Sequence, residues 1–152
     1  MEYSDPVSTP LGKQSKISVG GAPLAAQTPP LKLHTVSATE ITVLASDVPP
    51  GLVQWFSTIR ERNAEWCHRA GAKKAHAPVD LPLGGMYVFK LKENSRRFKT
   101  AGPTLVHIAT QSDIRPGSMA VLYIRAPVVR LSKRSYGAVW HVDEICVLDT
   151  RL

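Results

Sequence analysis

Polar and apolar positions alternate with a period of two along most of the chain, and one central stretch breaks that rhythm. Lys16-Ile17-Ser18-Val19 alternates as a short strand. Gly20-Gly21 supplies the positive φ angles of a tight hairpin turn before residues 22–28. Pro29-Pro30 interrupts pairing, and residues 31–36 and Glu40-Ile41-Thr42-Val43-Leu44 follow as two further strands split by a polar turn. Residues 1–15, rich in Pro, Ser and Thr with little apolar content, predict a flexible arm.

The break in rhythm comes after Asp47-Val48-Pro49-Pro50, where proline suits a first helical turn and aspartate a cap region. Leu52, Phe56, Ile59, Asn63 and Trp66 recur at steps of three and four with Trp55 beside them, while Arg60, Glu61, Arg62, Glu65 and Arg69 fall on the flanks and the opposite side. This predicts an amphipathic helix ending near Gly71, with its apolar stripe packed on its own domain's sheet. Residues 72–85, with Lys73-Lys74, Pro78, Pro82 and Gly84-Gly85, read as an irregular connection.

Period two then returns in four strands, at 86–92, 105–110, 119–130 and 138–148. Pro127 must bend the third or place it at an edge, because it cannot donate to a ladder. Turn-like segments at 94–97, 113–117 and 132–137 separate these strands and are mostly basic. A hairpin, strands, one helix and a run of antiparallel strands predict a mostly β chain with one amphipathic helix, folded as a single OB-like small antiparallel β-barrel over residues 16–152.

The 152 residues suit one domain, and 43% hydrophobic with 20% charged residues implies a packed core rather than disorder. No apolar run reaches the roughly 18–20 residues needed to span a bilayer, and the opening Met1-Glu2-Tyr3-Ser4-Asp5-Pro6 lacks a signal-peptide layout. These features predict an intracellular, soluble protein. Charge sharpens the picture: 19 Lys and Arg against 12 Asp and Glu give +7. Between positions 85 and 136, ten basic residues face two acidic ones, a balance of +8. Such a segment suits a polyanionic partner, since Lys and Arg displace condensed counterions from phosphates. A solvated basic surface is the alternative.

Catalytic and metal chemistry find little support. Cys67 and Cys146 are the only cysteines and have no paired Cys/His spacing, which argues against zinc and for two small buried side chains. Gly12-Lys13-Gln14-Ser15 lacks the upstream glycine of a phosphate loop, and neither a GxSxG elbow nor HExxH occurs. His141 and Asp143 share a strand face, which an exposed polar stripe explains. The sequence therefore predicts a non-enzyme with no metal and no cofactor.

Basic residues interleaved with aromatic ones are the stronger signal. Tyr87 and Phe89 lie on one side of their strand beside Lys90, Lys92, Arg96, Arg97 and Lys99. Tyr123 and Arg125 alternate with the apolar Leu122 and Ile124, and Arg130, Lys133, Arg134 and Tyr136 follow. Cations that track phosphates and rings that stack on bases are how single strands are held. Trp140 is expected in the core, on one strand face with Val142, Cys146 and Leu148.

The stretch from Gly117 through Tyr123-Ile124-Arg125, Val128-Val129-Arg130-Leu131 and Tyr136-Gly137 to Trp140-His141-Val142-Asp143-Glu144-Ile145 resembles single-stranded DNA-binding proteins of large DNA viruses and certain tailed phages. The segment from Ile17 to Pro29 is similar to the opening hairpin of the same group. The resemblance implies an OB barrel that coats single-stranded DNA during replication, recombination or repair. An RNA-binding barrel is a separate expectation, since stacking platforms tolerate either sugar. Replication or virion proteins and further copies of the chain, in a homo-oligomer, are candidate partners, although the chain ends at Asp149-Thr150-Arg151-Leu152 without the acidic tail that many members of that group use to contact replication partners. A virion or assembly protein whose basic surface meets packaged genome or an acidic subunit is the competing expectation.

Overall fold

The computed structural model describes residues 1–10, 12–73, 76–79, 85–101, 104–107 and 110–148. In chain order the strands are β1 (Glu2–Tyr3), β2 (Val7–Thr9), β3 (Gly12–Val19), β4 (Ala22–Pro23), β5 (Ala25–Gln27), β6 (Leu31–Lys32), β7 (Thr35–Val36), β8 (Glu40–Leu44), β9 (Ala77–Pro78), β10 (Met86–Ala101), β11 (Thr104–His107), β12 (Met119–Arg125), β13 (Val128–Ser132), β14 (Ser135–Ala138) and β15 (His141–Val147). Helix α1 (Pro50–Arg69) lies between β8 and β9. The described residues are thus mostly β, with one α-helix and two sheets. It divides into two compact units, one of Met1–Ala25, Pro50–Leu81 and Ala126–Val139, the other of Ala26–Pro49, Pro82–Arg125 and Trp140–Leu152. The boundary expected at residue 16 falls inside β3.

In the first unit the sheet runs β1-β3-β13-β14-β9, with β2 and β4 also paired to β3. Gly20 and Gly21, both at positive φ, close the expected hairpin, in which Val19 pairs with Ala22. The arm expected to be flexible is instead paired: β1 and β2 lie antiparallel to β3, and Ser4 bridges them. Its N–H donates to the Lys16 carbonyl at 3.0 Å, and its carbonyl accepts from Ser15 Oγ at 2.7 Å. Backbone ladder bonds need no apolar side chains, which is why composition alone misses such a strand. Gly12 sits at φ +135°, where a Cβ would come 2.1 Å from the Leu131 carbonyl oxygen, so close approach of β3 and β13 requires glycine there.

Helix α1 begins at Pro50, whose missing N–H falls among donors that a first turn leaves unpaired anyway. Phe56, Ile59, Asn63, Trp66 and Cys67 form the buried stripe, which packs on β13 and β14. Burying Phe56 and Ile59 contributes roughly 1.5–3 kcal/mol each. The helix ends in a Schellman motif: Ala72 N–H donates to the Cys67 carbonyl at 2.8 Å, Gly71 N–H to His68, and Gly71 takes φ +115°. Lys13 Nζ adds a bond to the Ala70 carbonyl at 3.3 Å, a cation at the negative end of the helix.

The second sheet runs β5-β12-β15-β10-β8-β7, with β6 on β12 and β11 on β10. From β12 to β7, and for β6 and β11, the pairs are antiparallel except β10 with β15. Ile41, Val43, Tyr87, Phe89, Leu91, Ala120, Leu122, Ile124, Val142 and Ile145 alternate into its core. Two departures from regular pairing shape the opposite face. Residues 94–97, expected as a turn between strands, lie within a continuous β10 as a bulge, four residues of β10 standing between Leu91 and Arg96 while β15 advances from Val142 to Glu144. On β15, Asp143 is an extra residue against β12, whose Tyr123 pairs with Glu144 and Ile124 with Val142. That bulge shifts the inward positions to Val142, Ile145 and Val147, so Cys146 and Leu148 are half-buried rather than core. Trp140 is buried as expected.

No closed barrel is present among the described residues. The single strand expected over 119–130 is interrupted at Ala126-Pro127, and β12 belongs to the sheet of one unit while β13 belongs to that of the other. Likewise the strand expected over 138–148 separates into β14 and β15. Of the expected strand over 105–110, β11 covers part, and 108–109 lies outside the described residues, as does part of the 72–85 connection. No helix among the described residues is long and apolar enough to cross a membrane.

Candidate nucleic-acid interface

The register of the second unit's sheet fixes which side chains share its outer face. Arg125, His141, Lys90 and Glu40 form one row across β12, β15, β10 and β8. Tyr123, Glu144 and Arg96 form the next, and Val121, Cys146 and Phe98 a third. Tyr123 is 41% exposed, the most open aromatic ring on this face, and Arg96 stands beyond Glu144 with 69% of its side chain exposed. Phe98 is half-buried on the same face. It was missed in the sequence, although it shares strand parity with Lys90 and Arg96.

Tyr87 and Phe89 are enclosed at 7% and 1% exposure, so neither offers a ring face to a base. Alternation explains this: Val88, Lys90 and Lys92 take the outward parity of the strand, which turns residues 87, 89 and 91 inward.

The six cations of this unit expected at the site are engaged. Lys90 Nζ lies 2.5 Å from Glu40 Oε2, Lys99 Nζ lies 3.3 Å from Asp113 Oδ1, and Arg96 pairs with Glu144. The bulge aims Asp143 at two partners, Arg125 at 3.1 Å and Lys92 at 3.9 Å. The Arg125 Nε contact is ionic rather than a hydrogen bond, since that nitrogen has no aligned acceptor among the described residues. Thr110 N–H donates to Asp113 and, with the Thr110 hydroxyl and Lys99, holds that carboxyl below its ordinary pKa. Arg97 serves a different purpose: its guanidinium donates to the carbonyls of Ser95 at 2.6 Å, Lys92 at 3.0 Å and Glu93 at 3.3 Å, bracing the bulge from within.

Arg130, Lys133, Arg134 and Tyr136 belong to the first unit. Arg130 is exposed on the sheet face opposite the helix, in a row with Val7, Gln14 and Gly137. Lys133 and Arg134 form the exposed two-residue tip of the β13–β14 hairpin, closed by Ser132 Oγ at 2.7 Å from Ser135 Oγ. Tyr136 is half-buried, its ring centroid 5.6 Å from that of His68. None of these three cations forms an ion pair among the described residues.

Charge therefore separates by unit. The first carries ten basic and five acidic residues, a balance of +5, and the second nine and seven, a balance of +2. The +8 segment of the sequence is shared between them, and folding sets carboxylates from elsewhere in the chain against much of it. Among the described residues no three His, Cys, Asp or Glu side chains cluster as a metal site. No protein-family model and no curated protein matches the chain, so its own residues carry the functional argument.

Proposed function

We propose that this protein binds single-stranded DNA without strong sequence preference, as a non-enzymatic module, through the outer sheet face of its second unit. The observation that carries the reading is the exposed Tyr123 ring, with Arg125 two residues along the same strand face and Arg96 one strand beyond Glu144. A ring stacks on any base at roughly 1–3 kcal/mol, and guanidinium groups beside it can take the flanking phosphates. In this reading the unit works as an OB-like module works, with a strand face and its bordering turns holding the oligonucleotide. Barrel closure is not needed for that. The resemblance to viral and phage single-strand binders agrees with it and makes replication, recombination or repair the setting.

The test is fluorescence anisotropy with a labelled single strand, its matched duplex and the matched RNA strand. Tight binding with preference for single strands is expected, and Tyr123→Ala should weaken it about 5- to 150-fold, the factor corresponding to one lost stack, while the thermal transition stays in place. Equal affinity of the wild-type chain for single strand and duplex, with no effect of Tyr123→Ala, would reject the stacking face and favour the assembly role.

A further inference from the structure

All five ion pairs among the described residues lie in the second unit, whereas the first unit carries the larger charge surplus. Four of its ten basic residues come together at one end. Lys13 reaches the last carbonyls of α1 through Ala70, and its backbone pairs with Leu131, two residues before the hairpin tip at Lys133-Arg134. The chain leaving α1 returns to the same place. Lys73 and His76 close a turn, in which the Lys73 N–H donates to His76 Nδ1 at 2.9 Å, and the next N–H, of Ala77, donates to the Arg134 carbonyl at 2.9 Å. Lys13, Lys73, Lys133 and Arg134 are all exposed, and none pairs with a carboxylate among the described residues.

We infer that this hairpin end of the first unit is a sequence-blind clamp for the phosphodiester backbone of nucleic acid, separate from the stacking face. Four exposed cations can neutralise phosphates but do not read bases, and Tyr136, two residues beyond the tip, is half-buried with its ring against His68 rather than presented beside them. Their ordered backbone makes the arrangement fixed rather than a loose basic tail: Ser132 and Ser135 lock the tip, and the Schellman turn locks the helix end. The clamp shares with the preceding reading only its ligand class, and it would hold duplex as well as single strands.

The test uses the full chain carrying Lys133→Gln and Arg134→Gln, with labelled single strand and matched duplex as probes over a salt series. Losing two phosphate contacts is expected to lower single-strand affinity about 20-fold at 0.1 M salt and to reduce the salt slope by about 1.4, with a duplex loss at least as large. Circular dichroism and the thermal midpoint should stay unchanged, since both side chains sit at an exposed turn. Lys73→Gln supplies a variant outside the hairpin, expected to act in the same direction with about half the change in slope. Unchanged affinity and slope in both variants would overturn the clamp. If Tyr123→Ala still weakens single-strand binding in that case, the stacking reading survives alone; if Tyr123→Ala is silent while the hairpin variant weakens both probes, the clamp survives alone.

Discussion

Tyr3 shows how one side chain turns an apolar-poor arm into part of a fold. Its hydroxyl donates to Asn63 Oδ1 at 2.7 Å, its ring stacks on Trp66 at 6.1 Å, and Asn63 is itself buried with Nδ2 lacking a described partner. Tyr3→Phe leaves the other end of that buried amide without its donor as well, which is expected to cost about 1–3 kcal/mol in urea unfolding. Burial first, and then Cys67, push the Tyr3 phenol up to about 12, against an offsetting pull from Arg62 and Arg69. The folded chain thus holds this proton more tightly than the unfolded chain. The associated stability is present below pH 10 and is lost as pH rises through about 12. In an ultraviolet phenolate titration, a late-titrating tyrosine should therefore appear in the native protein and be missing from the Tyr3→Phe variant.

Elements show what one-dimensional pattern can and cannot carry. The Gly20-Gly21 hairpin, β8 and α1 with its Phe56–Trp66 stripe are all legible, because each follows from local chemistry: turn angles, alternation, and a 3.6-residue period. The inward facing of Tyr87 and Phe89 and the outward facing of Phe98 are legible too, in the parity they share or do not share with Lys90 and Arg96. The bulges are not. Whether residues 92–95 make a turn or a bulge depends on a partner strand some fifty positions away, and Asp143 is re-aimed only because β12 pairs around it. The same distance from sequence separates two adjacent arginines. Arg97→Ala removes donors from three carbonyls and is expected to lower stability by about 1–3 kcal/mol in chemical unfolding, with affinity for single strands retained below the transition. Arg96→Ala, at an exposed guanidinium, is expected to reverse that pattern, weakening binding and sparing stability. If both variants lose stability alike and neither loses affinity, neither arginine of this strand contacts phosphate.

For the whole molecule, the charge that matters is what remains after the fold has paired its own ions. Nine basic residues stand among the sequence-derived site residues. If each met a phosphate, the slope of log affinity against log salt would be about −6, at about 0.7 per contact. In the folded chain, Lys90, Lys92, Arg96, Lys99 and Arg125 already face carboxylates, and Arg97 is bound to carbonyls. A cation that exchanges a carboxylate for a phosphate strands the carboxylate, which must then recruit a solvent cation, so the net release of counterions is small. Arg130, Lys133 and Arg134 are left, with Lys13 and Lys73 added by the clamp, and the slope is expected between about −2 and −3.5. Freeing one paired cation should steepen it. Glu144→Gln releases Arg96 on the row that holds Tyr123, and it is expected to raise single-strand affinity and to make the slope more negative by about 0.7. A wild-type slope near −6, or a Glu144→Gln variant that binds no tighter, would mean that these carboxylates give way to the nucleic acid and that the ion pairs do not set the binding charge.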